Sequence, residues 1–167
     1  NIIFMNIIIK KHLLSYRNYK LKCSIGKCGI TNSKKEGDLT TPKGVFSLGP
    51  LYFRKDRNQY FKTKLKKRVI KKNMGWCDDV KSKKYNKEIC FPFKYRAEKL
   101  YRKDKIYDIF LNIKYNQSPA VKDKGSAIFL HLTDNNYKPT RGCVAIQKKH
   151  FLKILPLISK NTKISIS

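Results

Sequence analysis

The chain has 167 residues, 41% of them apolar and 12% aromatic, which excludes an intrinsically disordered polypeptide despite a mean hydropathy of −0.55. That length supports one folded unit whose core needs no disulfide or metal for stability. Thirty-nine Lys and Arg against 11 Asp and Glu leave a formal charge of +28, a surface that attracts nucleic acid, anionic lipid and acidic cell-wall polymer alike. Of the basic residues 32 are Lys and only 7 Arg. The guanidinium, not the ammonium, reads phosphates and bases bidentately, so codon bias on solvated faces explains this charge as readily as a selected polyanion surface.

The opening NIIFMNIIIK carries seven apolar residues in its first nine. No basic segment precedes them, no small-residue cleavage site follows, and the run is too short to cross a bilayer. The β-branched content makes residues 2–9 a buried first strand rather than a leader. A basic turn at Arg17-Asn18 leads into a second strand over 19–25. The polar stretch TNSKKEGDLTTPKG then runs into the apolar VFSL.

Residues 54–72 hold ten Lys/Arg against one acid. Within them K-T-K-L-K alternates with period two, as an exposed edge strand whose lysines block edge-to-edge pairing. A dedicated basic binding arm is the competing reading. Residues 76–93 look irregular, with short extended pieces. Residues 106–115 (IYDIFLNIKY) and 126–132 (SAIFLHL) are strands, the latter apolar enough to be buried on both faces. The loop TDNNYKPTRG and the short apolar CVAI come next. QKKHFLKIL over 147–155 sets Phe151, Leu152 and Leu155 on one helical face, with Pro156 as its limit. NTKISIS alternates as a closing strand. The sum is mainly β with one or two short helices.

The five cysteines (Cys23, Cys28, Cys77, Cys90 and Cys143) form no C-x2-C pair, and His12, His131 and His150 fall at no zinc-finger offset. No metal site is expected. An odd count leaves at least one thiol free, and pairing among the others stays open.

Two features carry chemistry together. His131 ends the buried strand, and Cys143 follows twelve positions later, directly after Gly142. A Cys at such a loop-to-strand junction presents its thiol beside free backbone amides, and a neighbouring His can lower its pKa and hold it as a thiolate. The amides suit a tetrahedral oxyanion. An inert small hydrophobe and a satisfied core histidine are the competing reading.

The string SAIFLHL-TDNNYKP-TRGCVAI resembles the active-site segment of the YkuD-type L,D-transpeptidases, in which a His and a spacer precede Ser/Thr-x-Gly-Cys. The resemblance continues upstream in the order of the family's stand-alone catalytic branch. KEGDLTTPKGVFSL matches E-G-D-x-x-T-P-x-G-x-F, GWCDD matches W-x-D-D, and AEKLYRKDKIYDIF matches E-x-L-x-R-x-D-x-x-Y-D. Together these cover roughly residues 21 to 165.

The resemblance implies a mainly β, sandwich-type catalytic domain with one or two short helices, spanning 1–167 as a single domain. It implies a bacterial cell-wall transferase, a peptidoglycan L,D-transpeptidase. This cysteine acyltransferase cleaves the bond before the terminal D-Ala of a tetrapeptide stem and passes the acyl group to an amine, forming 3-3 cross-links. Cys143 is its nucleophile. His131 takes the thiol proton or holds the thiolate, and backbone amides of Gly142 and Cys143 form the oxyanion hole. Thr140, Arg141, Trp76, Asp78 and Asp79 are candidates for substrate binding, with loop bracing or capping as the alternative for Thr140, Trp76, Asp78 and Asp79.

Glu36, Gly37 and Asp38 read as structural. His131 is oriented by a backbone carbonyl or by Asp134. No metal or organic cofactor is implied. The expected partners are peptidoglycan stem peptides, with nonspecific polyanion contact through the basic surface, no specific nucleic acid and no transmembrane segment. A monomer in the periplasm or cell envelope is expected. The run Cys143-Val144-Ala145-Ile146 lacks the polar residue the family usually carries after its Cys, so contacts made there elsewhere do not transfer. Two alternatives stand: an L,D-carboxypeptidase using the same acyl-enzyme with water, and a non-catalytic basic module for polyanions or nucleic acid. Residues 125–147 carry only Lys138 and Arg141 against Asp134, so the catalytic segment is near neutral inside a strongly basic chain.

Overall fold

A computed structural model describes residues 6–167. The first expected strand lies partly outside them; its described part is β1 (Ile7–Lys10), with Ile7 and Ile9 fully buried. β2 (Leu13–Tyr16) and β3 (Tyr19–Lys22) follow as a tight meander whose turns carry Lys11 and Arg17 at positive φ. β2 went unread in the sequence because its four residues, LLSY, are too few to show a period.

The remaining strands are β4 (Ile30–Thr31), β5 (Thr41–Pro42), β6 (Gly44–Phe53), β7 (Lys67–Val69), β8 (Met74–Cys77), β9 (Glu88–Cys90), β10 (Ala97–Lys99), β11 (Ile109–Ile113), β12 (Phe129–Thr133), β13 (Val144–Gln147) and β14 (Lys163–Ile166). Nine of them form one sheet in the order β13-β12-β11-β6-β14-β1-β2-β3, with β7 added beside β6. The ten-residue β6 belongs to both halves of it. Residues 44–47 pair with β14, while 48–53 pair with β11. The far ends meet where Ser24 and Ala145 exchange backbone hydrogen bonds of 2.8 and 2.9 Å, so the sheet wraps round its own core. This is the mainly β, sandwich-like architecture expected.

That core draws on both halves: Ile7, Ile9, Leu14, Leu51, Leu111, Leu130, Val144 and Ile164 meet inside it, each burial contributing about 1.5–3 kcal/mol. α1 (Lys148–Ile154) closes it with Phe151 and Ile154. The short sheet β10-β8-β9 covers the other side of β6, β11 and β12. There Tyr52, Trp76, Tyr107, Phe110 and Phe129 form an aromatic cluster. The strands of the centre therefore alternate between two cores, Leu130 and Leu132 facing one and Phe129 the other. This is why SAIFLHL lacks a polar face.

The basic stretch departs from expectation. Residues 61–66 are irregular and the strand sits at 67–69. Leu65 leaves the lysine alternation to enter the main core, 8% exposed. Among the described residues no helix is long and apolar enough to cross a membrane.

Candidate active site

β12 and β13 run parallel, with His131 opposite Ala145. Cys143 immediately precedes β13 and shares the aromatic cluster with Phe129, two residues before His131. Nucleophile and base candidates thus leave the sheet on one face and line one cleft of about 1380 Å³. Their strands are consecutive and directly paired, joined by a single loop, which is how a twelve-residue separation becomes a neighbourhood.

The histidine is held on two sides. Its Nδ1 lies 2.9 Å from the Leu132 carbonyl oxygen. A carbonyl only accepts, so Nδ1 carries the proton and Nε2 keeps its lone pair. The Tyr107 ring packs edge-on at 5.4 Å between centroids, and its hydroxyl donates to Glu98 Oε1 at 2.6 Å. Asp134 is not the orienting group: its carboxylate accepts from the Asn136 amide. Burial lowers the His131 pKa to about 4, against the raising effect of the Leu132 carbonyl.

The Cys143 thiol donates to the Ala127 carbonyl at 3.1 Å and accepts from the Phe129 amide at 3.4 Å. Burial, reinforced by the Glu98 charge, pushes it up to about 12. At neutral pH the resting pair is a thiol and a neutral imidazole, not the thiolate form that spacing alone suggested. All five cysteines are free thiols, with Cys23, Cys77 and Cys143 buried. No group of three metal-ligating side chains occurs among the described residues.

The loop before Cys143 is braced from two directions. The Thr140 hydroxyl donates to the Cys143 carbonyl and accepts the Gly142 amide at 3.1 Å. Of the two amides expected in an oxyanion hole, the one on Gly142 is therefore already engaged. Gly142 sits at φ +146, and a Cβ there would meet the Thr40 carbonyl oxygen at 2.8 Å; only glycine fits. The Thr41 hydroxyl donates to the Gly142 carbonyl at 2.8 Å.

The candidate binding residues separate. Thr140, Arg141 and Asp78 line the cleft. Trp76 does not: it is 4% exposed, packs on Phe129, and gives its indole N–H to Asn86. Asp79 also stays out of the lining, accepting from the Lys81 and Arg96 amides instead. Cleft residues that sequence reasoning missed include Lys34, Glu98 and Tyr107. Glu98 and Tyr107 were visible within the E-x-L-x-R-x-D-x-x-Y-D match, but nothing in the spacing aimed them at the cysteine.

A family model described as the L,D-transpeptidase catalytic domain, YkuD, matches residues 6–166. The chain belongs to this family. Among solved structures it is similar to the helical cell shape determining protein Pgp2 from Campylobacter jejuni, at 15% identity and a TM-score of 0.52, over 96% of this chain and 46% of that one. It is also similar to an L,D-transpeptidase from Mycobacterium smegmatis, at 10% identity and a TM-score of 0.43, over 96% of this chain and 56% of that one. The first likeness supports the fold. This YkuD-family chain spans about half the length of these solved chains. No curated protein matches it.

Proposed function

We propose that the chain is a peptidoglycan L,D-transpeptidase, a single catalytic domain acting in the cell envelope on stem peptides, with Cys143 as nucleophile and His131 as acid–base. One observation carries the reading: the family's His, in the middle of β12, and its Ser/Thr-x-Gly-Cys residues, leading into the start of the neighbouring β13, line the wall of one cleft. In this scheme the thiol proton passes to His131 Nε2 as Sγ attacks the carbonyl before the terminal D-Ala. The Cys143 amide supports the oxyanion, since Thr140 occupies the Gly142 amide. Collapse breaks the C–N bond, His131 returns the proton to the departing D-Ala amine, and a thioester remains. An amine of a second stem then attacks, His131 takes its proton, and the thiol is restored as the 3-3 amide forms. Arg141, on the cleft wall, suits a stem carboxylate.

The purified protein is expected to take one covalent adduct from a carbapenem-type β-lactam, read as a single mass increment, and Cys143→Ala to take none. An unmodified wild-type mass under reducing conditions would overturn the reading. Digestion of muropeptides with and without an added amine then separates transfer from hydrolysis, since trimmed tripeptide alone marks a carboxypeptidase.

A further inference from the structure

Asn86 belongs to no matched motif, yet it is 2% exposed with every polar position used. Its Oδ1 accepts from the Trp76 indole N–H at 2.9 Å and from the Ala127 amide at 3.0 Å. Its Nδ2 donates to the carbonyls of Tyr115 and Asn116 at 3.0 and 2.7 Å. Exchanging O and N would set donors against donors and oxygens against oxygens, so only one orientation of this amide is allowed. The residue it holds is unusual. Ala127 has φ +52, a left-handed conformation that a side chain disfavours. That conformation turns the Ala127 carbonyl onto Cys143 Sγ at 3.1 Å.

We propose that Asn86 is a positioning residue for Cys143: by pinning Ala127 in its left-handed conformation it keeps the carbonyl that receives the S–H proton in place. Trp76 is part of the same device, since its indole N–H fills the second acceptor site on Oδ1 and fixes the amide. A thiol that donates to a carbonyl is held in its protonated form, away from His131, until a ligand displaces that bond. The fully satisfied amide makes the arrangement rigid, because moving Ala127 costs Asn86 a buried hydrogen bond.

The test follows alkylation of single cysteines by iodoacetamide at pH 8, mapped by mass spectrometry in a Cys28→Ser/Cys90→Ser background. Cys23 and Cys77, both fully buried, report any general loosening. Asn86→Ala is expected to raise the Cys143 rate about tenfold, the equivalent of one lost hydrogen bond, with Cys23 and Cys77 still protected. Adding Ala127→Gly, which adopts positive φ freely, is expected to return most of the protection. Asn86→Asp keeps the acceptor for the Ala127 amide but sets a carboxylate oxygen against the Tyr115 and Asn116 carbonyls, so it loosens the hold on Ala127 and is expected to raise the Cys143 rate severalfold with Cys23 and Cys77 still protected.

An unchanged Cys143 rate in Asn86→Ala, or the three buried cysteines reacting together, overturns the proposal. If Asn86→Ala does not fold, an unchanged Cys143 rate in Asn86→Asp does the same. The readout needs no substrate, so a wild type that takes no β-lactam adduct counts against the transpeptidase and leaves this inference to its own result.

Discussion

At Cys143 and His131 the decisive quantity is protonation, and burial sets it for both. Removing an imidazolium from water disfavours its charge, and removing a thiolate from water disfavours its own, so the pair rests neutral with values near 4 and 12. The β-lactam acylation rate is therefore expected to be nearly flat from pH 6 to 9 (values lying between those two limits). It falls only as acid protonates His131 towards pH 4. A stopped-flow profile checks this, and a sigmoidal rise centred between pH 6 and 9 would instead mark a resting thiolate. That these two residues come together in one cleft was legible in the sequence because a motif preserves order. Their protonation was not, since it depends on the Ala127 carbonyl and the Phe129 ring cluster that only the packed sheet supplies.

Among the elements, the loops around β4 and β5 explain why E-G-D-x-x-T-P accompanies a distant cysteine. The Asp38 carboxylate accepts from the Lys34 ammonium, the Lys35 and Thr40 amides and the Thr40 hydroxyl. Burial alone would raise its pKa, yet these donors hold it well below the usual carboxylate range. The bracket they build presents Thr41, whose hydroxyl ties down Gly142. Asp38→Ala is expected to cost about 2 kcal/mol, because the Lys34 ammonium, 4% exposed, keeps only the Thr40 carbonyl. A carboxylate with a depressed native pKa contributes fully above its unfolded value near ~4 and loses the contribution as pH falls towards the native value. Urea denaturation should accordingly show the wild type and variant curves converging below pH 4. Thr140→Val removes two bonds from the Cys143 loop and is expected to slow acylation about tenfold at unchanged β-lactam affinity.

Across the whole molecule, charge and chemistry are arranged differently than a linear reading suggests. Six of the 11 acids, Glu36, Asp78, Glu98, Asp104, Asp108 and Asp134, line the cleft of Cys143 and His131, against eight of the 39 cations. The near-neutral segment 125–147 is thus matched by acids from elsewhere, and the excess positive charge lies outside. Polyphosphate and duplex DNA are expected to bind wild type and Cys143→Ala equally, with affinity falling steeply between about 50 and 200 mM salt. A fluorescence titration reads this, and binding that survives high salt or depends on Cys143 would contradict it.

The sequence by itself determined the family and the mainly β character, and it singled out Cys143 and His131, because these rest on residue order and on periodicity that local chemistry enforces. It misplaced the edge strand at the KTKLK run, since one buried Leu65 outweighs a pattern of solvated lysines. It left Trp76 open between the cleft and a loop-capping role, and an indole N–H that must find a partner draws the ring to Asn86 and the core. What only the tertiary structure decided is which far-apart segments meet at the thiol: Asn86, Ala127, Glu98 and Thr41 are brought there by strand register and by buried polar groups pairing at close range.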